Sequence, residues 1–313
     1  MKKLILKNSS YEYLQRGFGE WLGILGFNPK SVEGMPIRIR EFLHFLESKN
    51  INHITHLNQQ HYKDYYDHIY TRANQRRGGG LSNVYINQHL QAIEKFLQFL
   101  HHKGVTKLPH LGIPLLKINK REITVLSQEE IKLLYKATRS EVDTIKAEAL
   151  QARDRAMLSV YYGCGLRREE GAFLELGDIN LDRRVLHVRR GKNYKERFVP
   201  FSKPNTKTFE EYIYDHRPLL AKSKNQGKLF LNRFGKPLSG GGLYVRLKLL
   251  QLKIDDIELQ AKTIGLHTLR HSIATHLLEA GMPLDRISRF LGHSSLESTQ
   301  IYTHLIDKKD GDI

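Results

Sequence analysis

HTLRHSIATHLLEAGMPLDRISRFLGHSSLESTQIY, His267 to Tyr302, is the stretch on which the reading of this chain turns. His267 and Arg270 stand three residues apart at its start, Leu291-Gly292-His293 sits on a loop, and Tyr302 closes it on a short polar helix. An arginine, histidines and a tyrosine in one segment are unusual for a plain core and suit chemistry on a phosphate. On a helix from His267 to about Ala280, Leu269, Ile273, Leu277 and Ala280 share a stripe that reads as core. His267 and Arg270 lie on a different face and point together into one site. His271 has metal-ligand spacing from His267, but no HExxH, carboxylate partner or cysteine cluster completes such a site. No metal is expected, and His271 and His276 read as structural histidines.

The segment offers no clear second arginine to grip a phosphate and no general acid, and candidates for both occur upstream. Ser127 opens a helix with a capping box to Glu130. A longer helix spans about Ile145 to Tyr162 and ends in YYGCGLRREEG, where Gly163 and Gly165 precede Arg167. An arginine beside a helix start, where free N–H groups collect, is placed for an anion, and Glu170 three residues on is placed to hold it. The same pattern also describes an ordinary helix N-terminus with a surface ion pair. Val185–Arg189 and Arg197–Phe201 read as strands joined by the hairpin GKNYKE, with Lys192 near its tip. A hairpin lysine either reaches a bound ligand as a proton donor or is simply solvated. Further helices fit about Asn205–Leu220 and Leu243–Leu252.

Before residue 104 the pattern is helical: Tyr11–Leu25, Met35–Lys49 with Ile37, Phe42, Leu43 and Phe45 as its apolar side, Gln59–Asn74 and Leu81–Lys103. Lys63, Arg72, Arg76, Arg77 and Lys95 are candidates to lie along a phosphate backbone, or else they solvate helix faces. Residues 105–125, broken by Pro109, Gly112 and Pro114, read as an extended basic linker, leaving 1–104 and 126–313 as domains.

Composition narrows the class. With 313 residues, the chain exceeds the roughly 250–300 that one core usually supports. Residues 1–120 carry 17 Lys+Arg against 8 Asp+Glu and the rest 33 against 25, so the halves hold +9 and +8. Two basic halves suit two surfaces facing one polyanion. A single cysteine, Cys164, excludes a disulfide framework and fits a reducing cytoplasm. No signal peptide or membrane span is visible.

GLRREE from Gly165, the hairpin GKNYKERFVP, HTLRH from His267 and LGHSSLESTQIYTH from Leu291 together resemble the tyrosine recombinase (phage integrase) family, particularly its Xer-like members. The resemblance covers about residues 121–305. It implies a mainly α fold with a small antiparallel sheet: an N-terminal four-helix (SAM-like) core-binding domain, then an α+β catalytic domain. It also implies catalytic roles for Arg167, Lys192, His267, Arg270, His293 and the nucleophile Tyr302, with Glu170 supporting Arg167.

The implied activity is site-specific recombination of double-stranded DNA through a 3′-phosphotyrosyl intermediate, without metal, ATP or other cofactor. The protein would form a C-shaped clamp on DNA, within a homo-tetramer or a hetero-tetramer with a paralogous recombinase, off the membrane. A type IB topoisomerase and a DNA-binding protein with a vestigial site are the alternatives. The Xer-like wording and separate helical domain favour recombination, and six intact positions oppose a vestigial site. Three positions depart from relatives: Arg168 replaces an aliphatic residue, Gly171 a leucine, and Cys164 a threonine. Only eleven residues follow Tyr302, short for a tail that in relatives docks on a neighbouring protomer.

Overall fold

Asn8, Asn28, Asn58 and Ser82 each offer a side-chain oxygen to a first-turn backbone N–H, and each starts a helix. These are α1 (Ser9–Ile24), α2 (Pro29–Ser48), α3 (Gln59–Thr71) and α4 (Asn83–His102). The structure, a computed structural model, describes residues 4–75, 78–118, 123–139, 144–189, 196–222, 227–293 and 297–300. It divides into two compact units, Met1–Arg121 and Glu122–Ile313.

In the first unit the buried side of α2 is Ile39, Phe42, Leu43 and Leu46, spaced three and four apart. Ile37, expected on that side, is 59% exposed. Two residues before Ile39 is roughly 200° around the helix, so Ile37 faces solvent. Beyond α4 the chain stays on this unit. Gln59 Nε2 donates to the Leu111 carbonyl at 3.0 Å, and the Asn87 amide exchanges hydrogen bonds of 2.9 and 2.8 Å with the Leu116 backbone. Leu111 is buried in the first core, so the Pro- and Gly-interrupted stretch is packed at least to Leu116.

The second unit opens with α5 (Gln128–Lys136), where Ser127 and Glu130 form the expected reciprocal capping box at 3.1 and 2.8 Å. α6 (Ile145–Leu158) widens into a π turn over Ser159–Gly163. α7 (Arg168–Phe173) is short and leads to the sheet: β1 (Ile179–Asn180), β2 (Val185–Val188) and β3 (Arg197–Pro200). These pair antiparallel in the order β1-β2-β3, with Leu186 opposite Val199. α8 (Lys203–Glu210) continues through a second π turn to α9 (Arg217–Leu220), followed by α10 (Gly240–Leu252) and α11 (Ile257–Ala261). α12 (Leu266–Glu279), α13 (Leu284–Leu291) and α14 (Glu297–Gln300) complete it. The architecture is thus mainly helical with one small antiparallel sheet.

α12 decides where the site lies, because it packs on the first π turn, on α10 and on α13. Its burial differs from the single stripe expected. Leu266, Leu269 and Ala274 are buried, Ile273 and Leu277 are half-buried, and Ala280 is exposed. Being covered on two sides explains this: Leu266 and Leu269 join the large core, while Ala274 joins a small cluster with Ile287 and Leu291. Ser272 ties the helix to the start of the unit, accepting the Leu126 N–H at 2.9 Å. Among the described residues no helix is long and apolar enough to cross a membrane.

Candidate active site

Gly165 brings the first arginine to the others. It follows the π turn with φ +61°, and a Cβ there would lie 2.9 Å from Leu291 Cδ2, so a side chain would push α13 away. Arg167 then precedes α7. Its N–H and Nη1 donate to the two oxygens of Glu170, both at 2.8 Å, and Nη2 donates to the Gly292 carbonyl at 2.8 Å. Arg270, on α12, donates Nη1 to the Gly165 carbonyl at 2.6 Å and Nη2 to the Leu291 carbonyl at 2.8 Å. Its guanidinium also stands 3.9 Å from Glu170. Gly165, Leu291 and Gly292 are therefore the backbone frame that aims both arginines.

Glu170 is the hub. Its side chain is only 3% exposed and also receives a bidentate fork from Arg197 on β3, at 3.0 and 2.9 Å. Burial pushes its carboxyl up, but the Arg197 hydrogen bonds and charge, with the Arg167 bonds, outweigh this and hold it at about 2. Sequence reasoning missed Arg197. Strand alternation was the available signal, since Arg197 shares the inward face of β3 with buried Val199.

The histidines sit beside this cluster. His267 is exposed, yet its pKa is lowered, by partial desolvation first and then by the guanidiniums of Arg270, Arg168 and Arg167. His293 is lowered to about 4 by burial and then by Arg270 and Arg167, and its Nδ1 lies 2.8 Å from Thr299 Oγ1. His271 is half-buried and lowered to about 4, mainly by burial, and His276 Nδ1 lies 2.9 Å from Tyr162 Oη. All three shifted rings are neutral at pH 7, so they accept a proton or donate one N–H without adding cationic charge. Among the described residues no three His, Cys, Asp or Glu side chains gather as metal ligands.

The structure thus brings together Arg167, Glu170, His267, Arg270 and His293. Lys192 and Tyr302 lie outside the described residues. In the first unit Lys63 is exposed on α3, whereas Arg72 pairs with Glu41 at 2.7 Å. Lys95 bonds Gln98 at 2.8 Å and lies 5.6 Å from the Phe27 ring centroid. Arg76 and Arg77 lie outside the described residues.

Two of the three departures have a packing reason. Gly171 leaves room for Tyr161, whose ring would stand 2.6 Å from a Cβ there and whose hydroxyl donates to the Arg168 carbonyl at 2.9 Å. Cys164 is fully buried, and burial pushes its thiol up to about 12, so it is a small core residue. Arg168 is exposed, lies over Gly240 and pairs with Glu169 at 3.1 Å.

Two guanidiniums held side by side, with neutral histidines beside them on a mixed helical unit, form a site suited to a phosphate. The chain belongs to the phage integrase family, whose model matches residues 124–309. It is an Xer-type tyrosine recombinase, an enzyme of site-specific DNA breaking and rejoining. Tyrosine recombinase XerD of Staphylococcus epidermidis is 34% identical over 268 residues, 85% of each chain. Tyrosine recombinase XerC of Bacillus pumilus is 32% identical over 293 residues, covering 92% of this chain and 90% of that one. The fold matches the crystal structure of XerH site-specific recombinase bound to difH substrate with a TM-score of 0.69 at 21% identity, over 96% of this chain and 83% of that one.

Proposed function

We propose that this recombinase cleaves a DNA strand by attack of Tyr302 on a scissile phosphate held between Arg167 and Arg270. The observation that supports this is the shared frame of Gly165, Leu291 and Gly292 carbonyls, which holds the two guanidiniums on neighbouring carbonyls. Extra negative charge develops on the non-bridging oxygens in the transition state, so fixed donors there lower the barrier more than they tighten ground-state binding. A tyrosine hydroxyl has an ordinary pKa near 10 and must lose its proton to attack. Neutral His267 accepts or relays it, and His293 donates a hydrogen bond to the phosphate. As the Tyr302 O–P bond forms, the P–O5′ bond breaks, and Lys192 supplies the proton that the departing 5′-oxygen needs. The 3′-phosphotyrosyl linkage stores the bond energy, and a second 5′-hydroxyl reverses the step on a new strand.

In this reading Lys63, Arg72, Arg76, Arg77 and Lys95 face the phosphate backbone of double-stranded DNA, Arg72 and Lys95 only through donors their internal partners leave free. The active assembly is a tetramer, of this chain alone or with a paralogous recombinase, working in the cytoplasm.

The test is a duplex selected from a randomised pool for covalent capture by the protein, then nicked so that the cleaved end diffuses away. The wild-type chain should accumulate a covalent adduct and Tyr302→Phe none. An undiminished adduct in the variant would remove Tyr302 from the role. For Lys192→Ala, a 5′-bridging phosphorothioate should restore cleavage, because sulfur leaves without an acid. Joining of strands between two labelled duplexes separates this reading from relaxation by a topoisomerase.

A further inference from the structure

Arg197 is not one of the two arginines that the frame of carbonyls holds, yet it closes on the carboxylate that orients the first of them. Both of its terminal nitrogens engage both oxygens of Glu170. Its own side chain is 12% exposed, so this bidentate pair is nearly dry. The Glu170 oxygens that Arg197 engages are the same ones that take the Arg167 backbone N–H and Nη1. Arg197 also walls the turn before His293. Gly292 has φ +65°, and a Cβ there would stand 2.7 Å from Arg197 Cδ and Nε. One side chain thus touches the carboxylate that orients the first arginine and the turn whose carbonyl takes that arginine's other end. It is also the first residue of β3, five positions after Lys192.

From this geometry we infer that Arg197 is a positioning residue for strand cleavage, fixing the Glu170 carboxylate so that Arg167 presents its guanidinium to the scissile phosphate. This rests on the assignment of Arg167 and Tyr302 given above. Arg197 does not itself meet the phosphate; its charge and fork keep Glu170 ionised and in one rotamer. With Arg197 absent, burial acts on Glu170 against fewer opposing donors, and the carboxyl protonates at higher pH. A protonated Glu170 loses one acceptor oxygen, and Arg167 loses half of its anchor.

The experiment measures adduct formation on the captured nicked duplex by wild type, Arg197→Ala, Arg197→Lys, Glu170→Gln and the Arg197→Ala/Glu170→Gln double variant, each at saturating DNA. Arg197→Ala should bind the duplex within about twofold of wild type yet cleave about 10- to 100-fold more slowly, the range typical of losing a residue that orients a reactive group from behind. Arg197→Lys keeps the charge but not the fork and should recover only part of the rate. The double variant should cleave no more slowly than Glu170→Gln alone, because Arg197 acts through Glu170. Measured relative to wild type at each pH, the cleavage rate of Arg197→Ala should also fall further on acidification, a change that a purely structural defect would not produce.

Cleavage by a folded Arg197→Ala or Arg197→Lys within twofold of wild type would overturn the inference. So would multiplicative losses in the double variant. Absence of any adduct with the wild-type chain would instead overturn the nucleophile assignment beneath it.

Discussion

Among the described residues, each unit of this protein buries a glutamate under arginine, and the two sites balance their charges differently. In the first unit Glu41 is 8% exposed, pairs with Arg72 at 2.7 Å and has His89 Nε2 at 3.9 Å. Burial, then Arg38 and Arg72, lower His89 to about 3, so it is neutral and the pair closes at one charge against one. In the second unit Glu170 is 5% exposed but takes Nη1 of Arg167 and the bidentate fork of Arg197, with Arg270 at 3.9 Å. Three cations share one carboxylate there. A balanced buried pair contributes to architecture. An unbalanced one leaves surplus positive charge directed at an incoming anion, which is what transfer at a phosphate diester requires.

The comparison breaks most sharply at its cations. Arg270→Ala should reduce cleavage at saturating DNA by about 10²- to 10³-fold, the usual cost of one lost transition-state donor. Arg72→Ala should leave that rate within about twofold, while destabilising the first unit by about 1–3 kcal/mol in denaturant unfolding, because Glu41 loses its partner. Equal losses of cleavage in the two variants would remove the distinction. Gly292→Ala is next. A left-handed non-glycine residue costs about 1–2 kcal/mol, and the new Cβ would also collide with Arg197. Cleavage should fall about tenfold, with a lower melting temperature for the second unit only.

Acid sharpens the contrast by the smallest margin. His89, His271 and His293 are neutral in the fold with lowered pKa values, so unfolding takes up protons below the ordinary value near 6.5. Stability therefore falls as pH drops from 7 toward 4 in both units, and the melting temperature with it. Glu170, held at about 2, adds a second loss that begins below its unfolded pKa near 4.5 and continues toward 2. Calorimetry should show that extra acid limb in the second unit and not in Glu170→Gln.

α5 was legible in the sequence because a capping box at Ser127 met apolar spacing, whereas the Asn28 cap was not read and α2 begins six residues before the expected Met35. β1 was not legible either, because two residues carry no alternation. The packing of the stretch after α4 was hidden as well. Its prolines and glycine signal a break in helix but say nothing of the Asn87 and Gln59 side chains that hold its backbone. At the site, residue types and order pointed to Arg167, Glu170, His267, Arg270 and His293, which the fold does bring together. What the sequence concealed was mutual support. The arginine that completes Glu170 sits on a strand that reads as ordinary hairpin, and the carbonyls that aim the guanidiniums belong to a helix end and a glycine turn with no chemical signature of their own.

Identifying the residue joined to DNA tests the account most directly. The covalent complex, digested with nuclease and protease, should yield one modified peptide in mass spectrometry, carrying a 3′-linked nucleotide on Tyr302. A nucleotide on any other residue would contradict the arrangement proposed around Glu170.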